Sequence, residues 1–138
     1  HIGKNGAGQV TKACNQVVIG QAIVAIGEAF VLAKASGVDP AKVRQALLGG
    51  FAGSRALESH GQPMLDHNFI PGFKARLHQK DMRIAMEAAH ELGIALPDAA
   101  QVAQSLNVVV GQGQGENDSI SIFELQEQLS STLTNNDK

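Results

Sequence analysis

Residues 10–35 constrain the fold of this chain more than any other part of the sequence. Apolar residues are dense in this segment, no proline interrupts it, and Gly37 and Asp39-Pro40 follow it. Glycine ends helices and Asp-Pro begins them, so the segment predicts one long helix. About 26 residues at 1.5 Å each span roughly 39 Å, whereas a domain of this length has a radius of gyration of roughly 14 Å. The helix must therefore cross the whole domain.

The same segment is apolar on nearly all sides. Its charged residues are Lys12, Glu28 and Lys34. A helix of this kind is buried on several sides, here by its own domain and by another chain, so we expect a homo-oligomer, either a dimer or a tetramer. The longest apolar stretch without charge, residues 13–27, contains three amide side chains and is shorter than the ~20 apolar residues of a membrane span. The sequence therefore predicts no membrane segment.

Helix signals also divide the rest of the chain. Capping residues, glycine stops and Pro-Gly or Asp-Pro breaks predict further helices at residues 39–48, 54–65, 74–92, 97–110 and 119–130. No segment alternates β-branched and polar residues as a strand does. The predicted fold class is all-α, a domain of six helices (residues 1–131) built round one long central helix. Residues 132–138 are polar and predict a flexible tail.

Composition excludes several classes of function. Lys and Arg number 11 against 13 Asp and Glu, with no Trp or Tyr, which argues against a nucleic-acid surface. Cys14 is the single cysteine, and no Cys/His cluster has zinc-ligand spacing, so we expect no disulfide within the chain and no metal. No signal peptide is visible, and a cytoplasmic location fits. Because residue 1 is not Met, we expect the chain to be part of a longer protein.

A polar stripe on the long helix is the first candidate site. Lys12, Asn15 and Gln16 share one helix face, because side chains three and four residues apart stack along a helix. The stripe begins beside Gly3, Gly6 and Gly8, where a ligand could approach the backbone. From spacing alone two interpretations stay open: Lys12 extends along an apolar surface at the helix start, or the stripe binds a ligand.

Asp81 is the second candidate, because it interrupts the apolar arc of helix 74–92. A carboxylate that faces a core costs several kcal/mol unless it is paired or hydrogen-bonded. Asp81 therefore either anchors a neighbouring segment or belongs to a site. The chain's histidines are dispersed through predicted loops and exposed faces, and no role is assigned to them. The predicted arc consists of Leu77, Ile84, Ala85, Ala88, Ala89 and Leu92.

Two segments resemble a known family. GKNGAGQVTKACNQ, residues 3–16, is similar to the G-x-x-G-x-G-x-x-x-K-x-x-N segment of the β-hydroxyacid dehydrogenases. PGFKARLHQKD, residues 71–81, resembles the branch of that family that reduces tartronate semialdehyde. The resemblance covers essentially the whole chain, but only the C-terminal half of the family's proteins. It implies a fold like the C-terminal domain of 6-phosphogluconate dehydrogenase.

The resemblance also implies a function and roles for particular residues. In that family an N-terminal Rossmann domain binds NAD or NADP, and the helical domain supplies the essential lysine and much of the dimer contact. No strand followed by G-x-G-x-x-G occurs here, so we expect the Rossmann domain to be absent from this chain. The resemblance implies that Lys12 is the catalytic lysine and that Phe73, Lys80 and Asp81 face the cofactor. It implies that Asn15 and Gln16 bind the substrate, and leaves open which of the two amides does what.

The implied reaction is reduction of tartronate semialdehyde to glycerate, in which Lys12 acts as general acid on the carbonyl oxygen. The isolated chain should have little or no activity. One alternative is the oxidation or reduction of another small β-hydroxyacid or semialdehyde, such as 3-hydroxyisobutyrate. A different class of alternative is a helical oligomerisation module without enzymatic activity, in which the motifs serve packing. The choice between NAD and NADP is not encoded here, because the residue that contacts the ribose 2′ position lies in the Rossmann domain.

Overall fold

The computed structural model describes residues 3–131. Within that range the protein is all-α and has no β-strand, as the sequence predicted. The six α-helices are α1 Ala7–Ala35, α2 Pro40–Leu48, α3 Arg55–Leu65, α4 Ala75–Leu92, α5 Pro97–Gly111 and α6 Ile122–Leu129.

The predicted long helix is α1, and it is the centre of the domain. It begins three residues before the predicted start, after Gly6 in a left-handed conformation (φ 92°), and Gly37 follows its end at φ 74°. It contacts each of the other five helices, and Ile23 and Phe30 on it lie in the core. By length and composition alone α1 could cross a membrane, with a mean hydropathy of 1.8, but core helices of soluble proteins pass the same test.

One side of α1 stays exposed. Val10, Val18 and Leu32 are each more than 60% exposed, and at 100° per residue they lie within roughly 80° of one another. The prediction that its own domain buries this helix on several sides thus holds for its inner faces. No other segment of residues 3–131 covers this outer face.

The helix ends follow the capping signals of the sequence. Asp39 Oδ1 accepts a hydrogen bond from Ala41 N at 3.0 Å, and Ser54 Oγ accepts one from Leu57 N at 3.0 Å. Gly93 ends α4 in a left-handed conformation. Each predicted boundary from α2 to α5 lies within one residue of the observed one, because local chemistry determines these ends.

The last predicted helix is divided. A turn of 3-10 helix, Ser119–Ser121, precedes α6, which ends at Leu129. Asp118 caps this turn as predicted, accepting from Ile120 N at 3.0 Å. The predicted tail, residues 132–138, lies outside the described residues.

The buried face of α4 differs from the predicted arc. Ile84 is 46% exposed and Leu92 is 72% exposed, so the prediction that they face the core is wrong. The helix packs on both α1 and α5, and small side chains allow the close approach that this requires. Its buried residues are therefore Ala75, His78, Met82, Ala85 and Ala89.

Candidate active site

A cavity of about 290 Å³ lies between the first turns of α1 and the middle of α4. Lys12 and Gln16 enter it from successive turns of α1, and Asp81 and Ile84 enter it from α4. It thereby combines a cation, an amide and a carboxylate with an apolar wall. Its lining consists of Gln9, Lys12, Ala13, Gln16, Asp81 and Ile84.

Three polar side chains form a hydrogen-bonded chain at this cavity. Gln16 Nε2 donates to Asp81 Oδ2 at 3.0 Å, and Asn15 Nδ2 donates to Gln16 Oε1 at 2.9 Å. Gln16 is buried, Asp81 is half-buried and Asn15 is exposed. Asp81 therefore both anchors α1 and borders the cavity, which are the two alternatives that the sequence left open.

Lys12 is exposed and stands one turn before Gln16 on the same face of α1. No ion pair between Lys12 and a carboxylate occurs in the described part of the chain. Its ammonium group is therefore available to a ligand in the cavity.

His78 is the residue of this region that the sequence analysis missed. It is completely buried on α4, so the expectation that the histidines lie on loops and exposed faces is wrong for this one. Its Nε2 lies 3.2 Å from the backbone oxygen of Gln16. Burial lowers the pKa of His78 below its ordinary value of 6.5, against the opposing effects of the Gln16 hydrogen bond and of Asp81. The available signal was spacing, since His78 precedes Asp81 by three residues.

Phe73 is held at the start of α4 by Asp118. The Oδ2 atom of Asp118 accepts from the backbone N–H groups of Gly72 and Phe73, at 2.9 and 3.0 Å. The Phe73 ring then packs against the His78 ring, with centroids 5.6 Å apart. The sequence identified Asp118 only as a helix cap, since the contact across 45 residues has no local signal.

The loop before Asp118 also fastens α4. Ala75 N donates to Asn117 O at 2.8 Å, and Arg76 N donates to Gly115 O at 3.0 Å. These carbonyls satisfy first-turn donors of α4, whose N-cap residue Lys74 provides no side-chain acceptor. Residues 115–117 therefore cap the N-terminus of α4.

Lys80 lies outside the cavity that contains Lys12. It borders a second groove of about 440 Å³ between α4 and α5, together with Arg83. Consecutive helix residues point about 100° apart, so Asp81 faces α1 while Lys80 faces the groove. Three of the predicted site residues therefore line the cavity: Lys12, Gln16 and Asp81. Asn15 is hydrogen-bonded to Gln16 at its edge. Phe73 and Lys80 lie on neighbouring surfaces.

The described residues contain no cluster of three or more His, Cys, Asp or Glu side chains that could hold a metal ion. The polar groups that line the cavity are one ammonium group, an amide and a carboxylate. An ammonium group in this position could stabilise charge on an oxygen of a bound molecule and donate a proton to it.

Comparison with known proteins identifies the family. The family described as "NAD-binding of NADP-dependent 3-hydroxyisobutyrate dehydrogenase" matches residues 6–126. The chain belongs to this family, the β-hydroxyacid dehydrogenases, which confirms the interpretation of its two motifs. The enzymes of this family are NAD(P)-dependent dehydrogenases and reductases.

Curated relatives show the same assignment. The chain is 41% identical over 126 residues to 2-hydroxy-3-oxopropionate reductase of Escherichia coli, which covers 91% of this chain and 43% of that protein. It is 28% identical to 3-hydroxyisobutyrate dehydrogenase of Pseudomonas aeruginosa, covering 91% of this chain and 44% of that protein. The chain spans less than half the length of these relatives.

Solved structures share the fold. A 3-hydroxyisobutyrate dehydrogenase of Mycobacterium tuberculosis, determined with L-serine, superposes with a TM-score of 0.85 at 27% identity, covering 91% of this chain and 45% of that one. A second one, from Salmonella typhimurium, has a TM-score of 0.82 at 23% identity, over 87% of this chain and 42% of that one, and supports the fold alone.

Proposed function

We propose that this chain is the C-terminal substrate and dimerisation domain of a cytoplasmic, NAD(P)H-dependent reductase that converts tartronate semialdehyde (2-hydroxy-3-oxopropanoate) to glycerate. The 41% identity to the E. coli reductase supports the substrate. The observation that carries the proposal is the cavity in which Lys12 meets the Gln16–Asp81 pair. An N-terminal Rossmann domain would account for the remaining length of the relatives.

Lys12 is the general acid in this proposal. The bound cofactor supplies the hydride that reduces the aldehyde carbon. Negative charge then builds on the aldehyde oxygen, and an ammonium group beside it stabilises that charge and delivers the proton. In the direction of oxidation the neutral amine accepts the proton from the hydroxyl group.

Asn15 orients the substrate, and Gln16 orients Asn15. Asn15 gives one N–H to Gln16 and leaves its carbonyl oxygen and second N–H without a partner in the described residues. A hydroxyl group and a carboxylate of a small hydroxyacid match those two atoms. Asp81 keeps the Gln16 amide in one orientation, because an ionised carboxylate accepts hydrogen bonds and does not donate them.

Phe73 and Lys80 are the residues that would face the cofactor. Phe73 presents a half-buried ring at the start of α4. Lys80 presents an exposed ammonium group that has no ion pair in the described chain. An aromatic face and a cation suit a nicotinamide ring and a phosphate respectively, so the residues fit such a group. Asp81 supports the site through its hydrogen bond with Gln16.

A second candidate is the same chemistry on another small β-hydroxyacid, such as 3-hydroxyisobutyrate. The family description and the Mycobacterium tuberculosis structure, a 3-hydroxyisobutyrate dehydrogenase, favour it. Comparing kcat/KM for tartronate semialdehyde and for 3-hydroxyisobutyrate, with each of the two nicotinamide cofactors, separates the two candidates and determines the cofactor.

Substitution of Lys12 tests the proposal. The assay uses a protein that also contains the N-terminal domain proposed from the length of the relatives. In this protein Lys12→Ala should lower kcat by about 10²–10⁴-fold, which is the contribution of a positioned general acid. The melting temperature should change little, because Lys12 is exposed. The matched control is Lys42→Ala, which removes an exposed lysine from α2 and should keep normal turnover.

Two outcomes would contradict the enzymatic role. Normal turnover in Lys12→Ala would exclude Lys12 as the acid. A large loss of stability with no specific loss of kcat would favour the oligomerisation module, in which the motif residues serve packing.

A further inference from the structure

His78 holds α1 in place from the buried side of the cavity. A backbone carbonyl only accepts hydrogen bonds, so the 3.2 Å contact with Gln16 O requires the proton on His78 Nε2. That oxygen also accepts within α1 from the N–H four residues later, and a carbonyl has two lone pairs. His78 therefore uses the second lone pair of Gln16 O and leaves the helix intact.

The chain makes room for this contact at Gly20. A Cβ atom there would lie 3.2 Å from His78 Nε2 and 2.8 Å from Val102 Cγ1. The absence of a side chain thus allows the imidazole to reach the α1 backbone. On its other side the imidazole packs against Phe73.

α4 consequently contacts Gln16 at two points. His78 bonds its backbone oxygen, and Asp81, on the next turn of α4, bonds its side-chain amide. One contact holds the α1 backbone at Gln16 and the other holds the Gln16 side chain, so together they determine where this residue lies against α4. Lys12 stands one turn away on α1, so its place in the cavity depends on the same two contacts.

We propose that His78 is a positioning residue for the reaction, which with Asp81 clamps Gln16 and so places Lys12 and Asn15 at the substrate. This inference rests on the proposed function. His78 has no contact with the cavity itself, so it acts through Gln16.

The test compares three variants of the full-length protein in the reduction of tartronate semialdehyde. His78→Leu removes the donor and should lower kcat by about 10- to 100-fold, the effect of a small displacement of catalytic groups. His78→Gln places an amide N–H where Nε2 was and should recover most of the kcat. Met82→Ala is the matched control, because Met82 is completely buried one turn further along α4. It should lose stability and keep its kcat at a temperature where it is folded.

Three results would overturn the proposal. They are a normal kcat in folded His78→Leu, an equal loss of kcat in Met82→Ala, and no recovery in His78→Gln. If His78→Leu does not fold, ¹⁵N NMR of the unmodified protein decides, because a proton on Nδ1 in place of Nε2 removes the clamp.

The Lys12→Ala variant separates this inference from the proposed function. If Lys12→Ala loses turnover and His78→Leu does not, only the clamp is wrong. If Lys12→Ala keeps turnover, the proposed function is wrong and the clamp has no reaction to serve.

Discussion

Gln16 carries a polar side chain that is only 9% exposed, and both ends of its amide have partners. A buried polar group without a partner costs about 1–3 kcal/mol, so the chain from Asn15 to Asp81 favours a single arrangement. The Asp81 carboxylate accepts hydrogen bonds, which fixes Gln16 Nε2 toward α4 and Oε1 toward Asn15. Gln16 is therefore the inner link of this hydrogen-bonded chain and Asn15 the outer one.

The buried His78 predicts a dependence of stability on pH. Its pKa is lowered in the folded state, chiefly by burial, so the unfolded chain binds more protons as the pH falls below 6.5. Its contribution to stability is complete above pH 6.5 and decreases as the pH falls from there to the lowered pKa. Asp81, Asp118 and His60 are the charged or titratable groups that act on it. The melting temperature should therefore decrease between pH 7.5 and 5.

Two variants isolate this effect. His78→Gln should flatten the decrease in melting temperature, whereas His90→Gln, which replaces an exposed histidine on the same helix, should leave the decrease unchanged. If the melting temperature decreases equally with falling pH in His78→Gln and in the unmodified protein, folding does not lower the pKa of His78.

At the scale of elements, the contact between α1, α4 and α5 depends on Gly20. It is a buried glycine on α1 opposite Val102 of α5 and His78 of α4. Helix interiors normally disfavour glycine relative to alanine by about 0.5–1 kcal/mol. Here that cost is offset by the close approach that the missing side chain allows.

Gly20→Ala should therefore destabilise the protein although alanine is the better helix former. The added Cβ would lie 2.8 Å from the Cγ1 of Val102, a buried side chain that is 1% exposed, so the packing between α1 and α5 would have to shift. Overpacking of this kind costs typically about 1–3 kcal/mol, measurable by urea unfolding. Gly8→Ala is the control, since nothing lies within 4 Å of its added Cβ, and it should be neutral or stabilising. Higher stability of Gly20→Ala would contradict the observed packing.

At the scale of the whole molecule, the outer face of α1 is an apolar surface that residues 3–131 leave exposed. Val10, Val18 and Leu32 form an exposed apolar strip along the central helix. Strips of this kind mark association surfaces in soluble proteins. They are consistent with the homo-oligomer that the sequence predicts, which stays a prediction.

Val18→Lys tests this prediction. Light scattering after gel filtration should give the mass of a dimer or tetramer for the unmodified protein and a smaller mass for Val18→Lys, because the change buries a charge in the interface. Circular dichroism should show unchanged helix content, since Val18 is 64% exposed. Gln45→Lys, at an exposed position on α2, controls for the added charge alone. A monomeric unmodified protein would exclude the predicted oligomer.

The sequence by itself determined the all-α fold class, the ends of α2 to α5 and the family. Caps such as Asp39 and Ser54 and stops such as Gly93 act within a few residues, and the two motifs are continuous in the chain. Such local signals do not depend on how the helices later pack.

Only the tertiary structure decided which faces are buried and which polar groups meet. The apolar arc of α4 chosen from its own sequence exposes Ile84, because the position of α1 and α5 selects the face with His78 and three alanines. The bonds from His78 and Asp81 to Gln16 join residues more than 60 positions apart. The periodic spacing of side chains along one helix cannot predict such contacts. They depend on the register between two helices, and the packing of the whole domain determines that register.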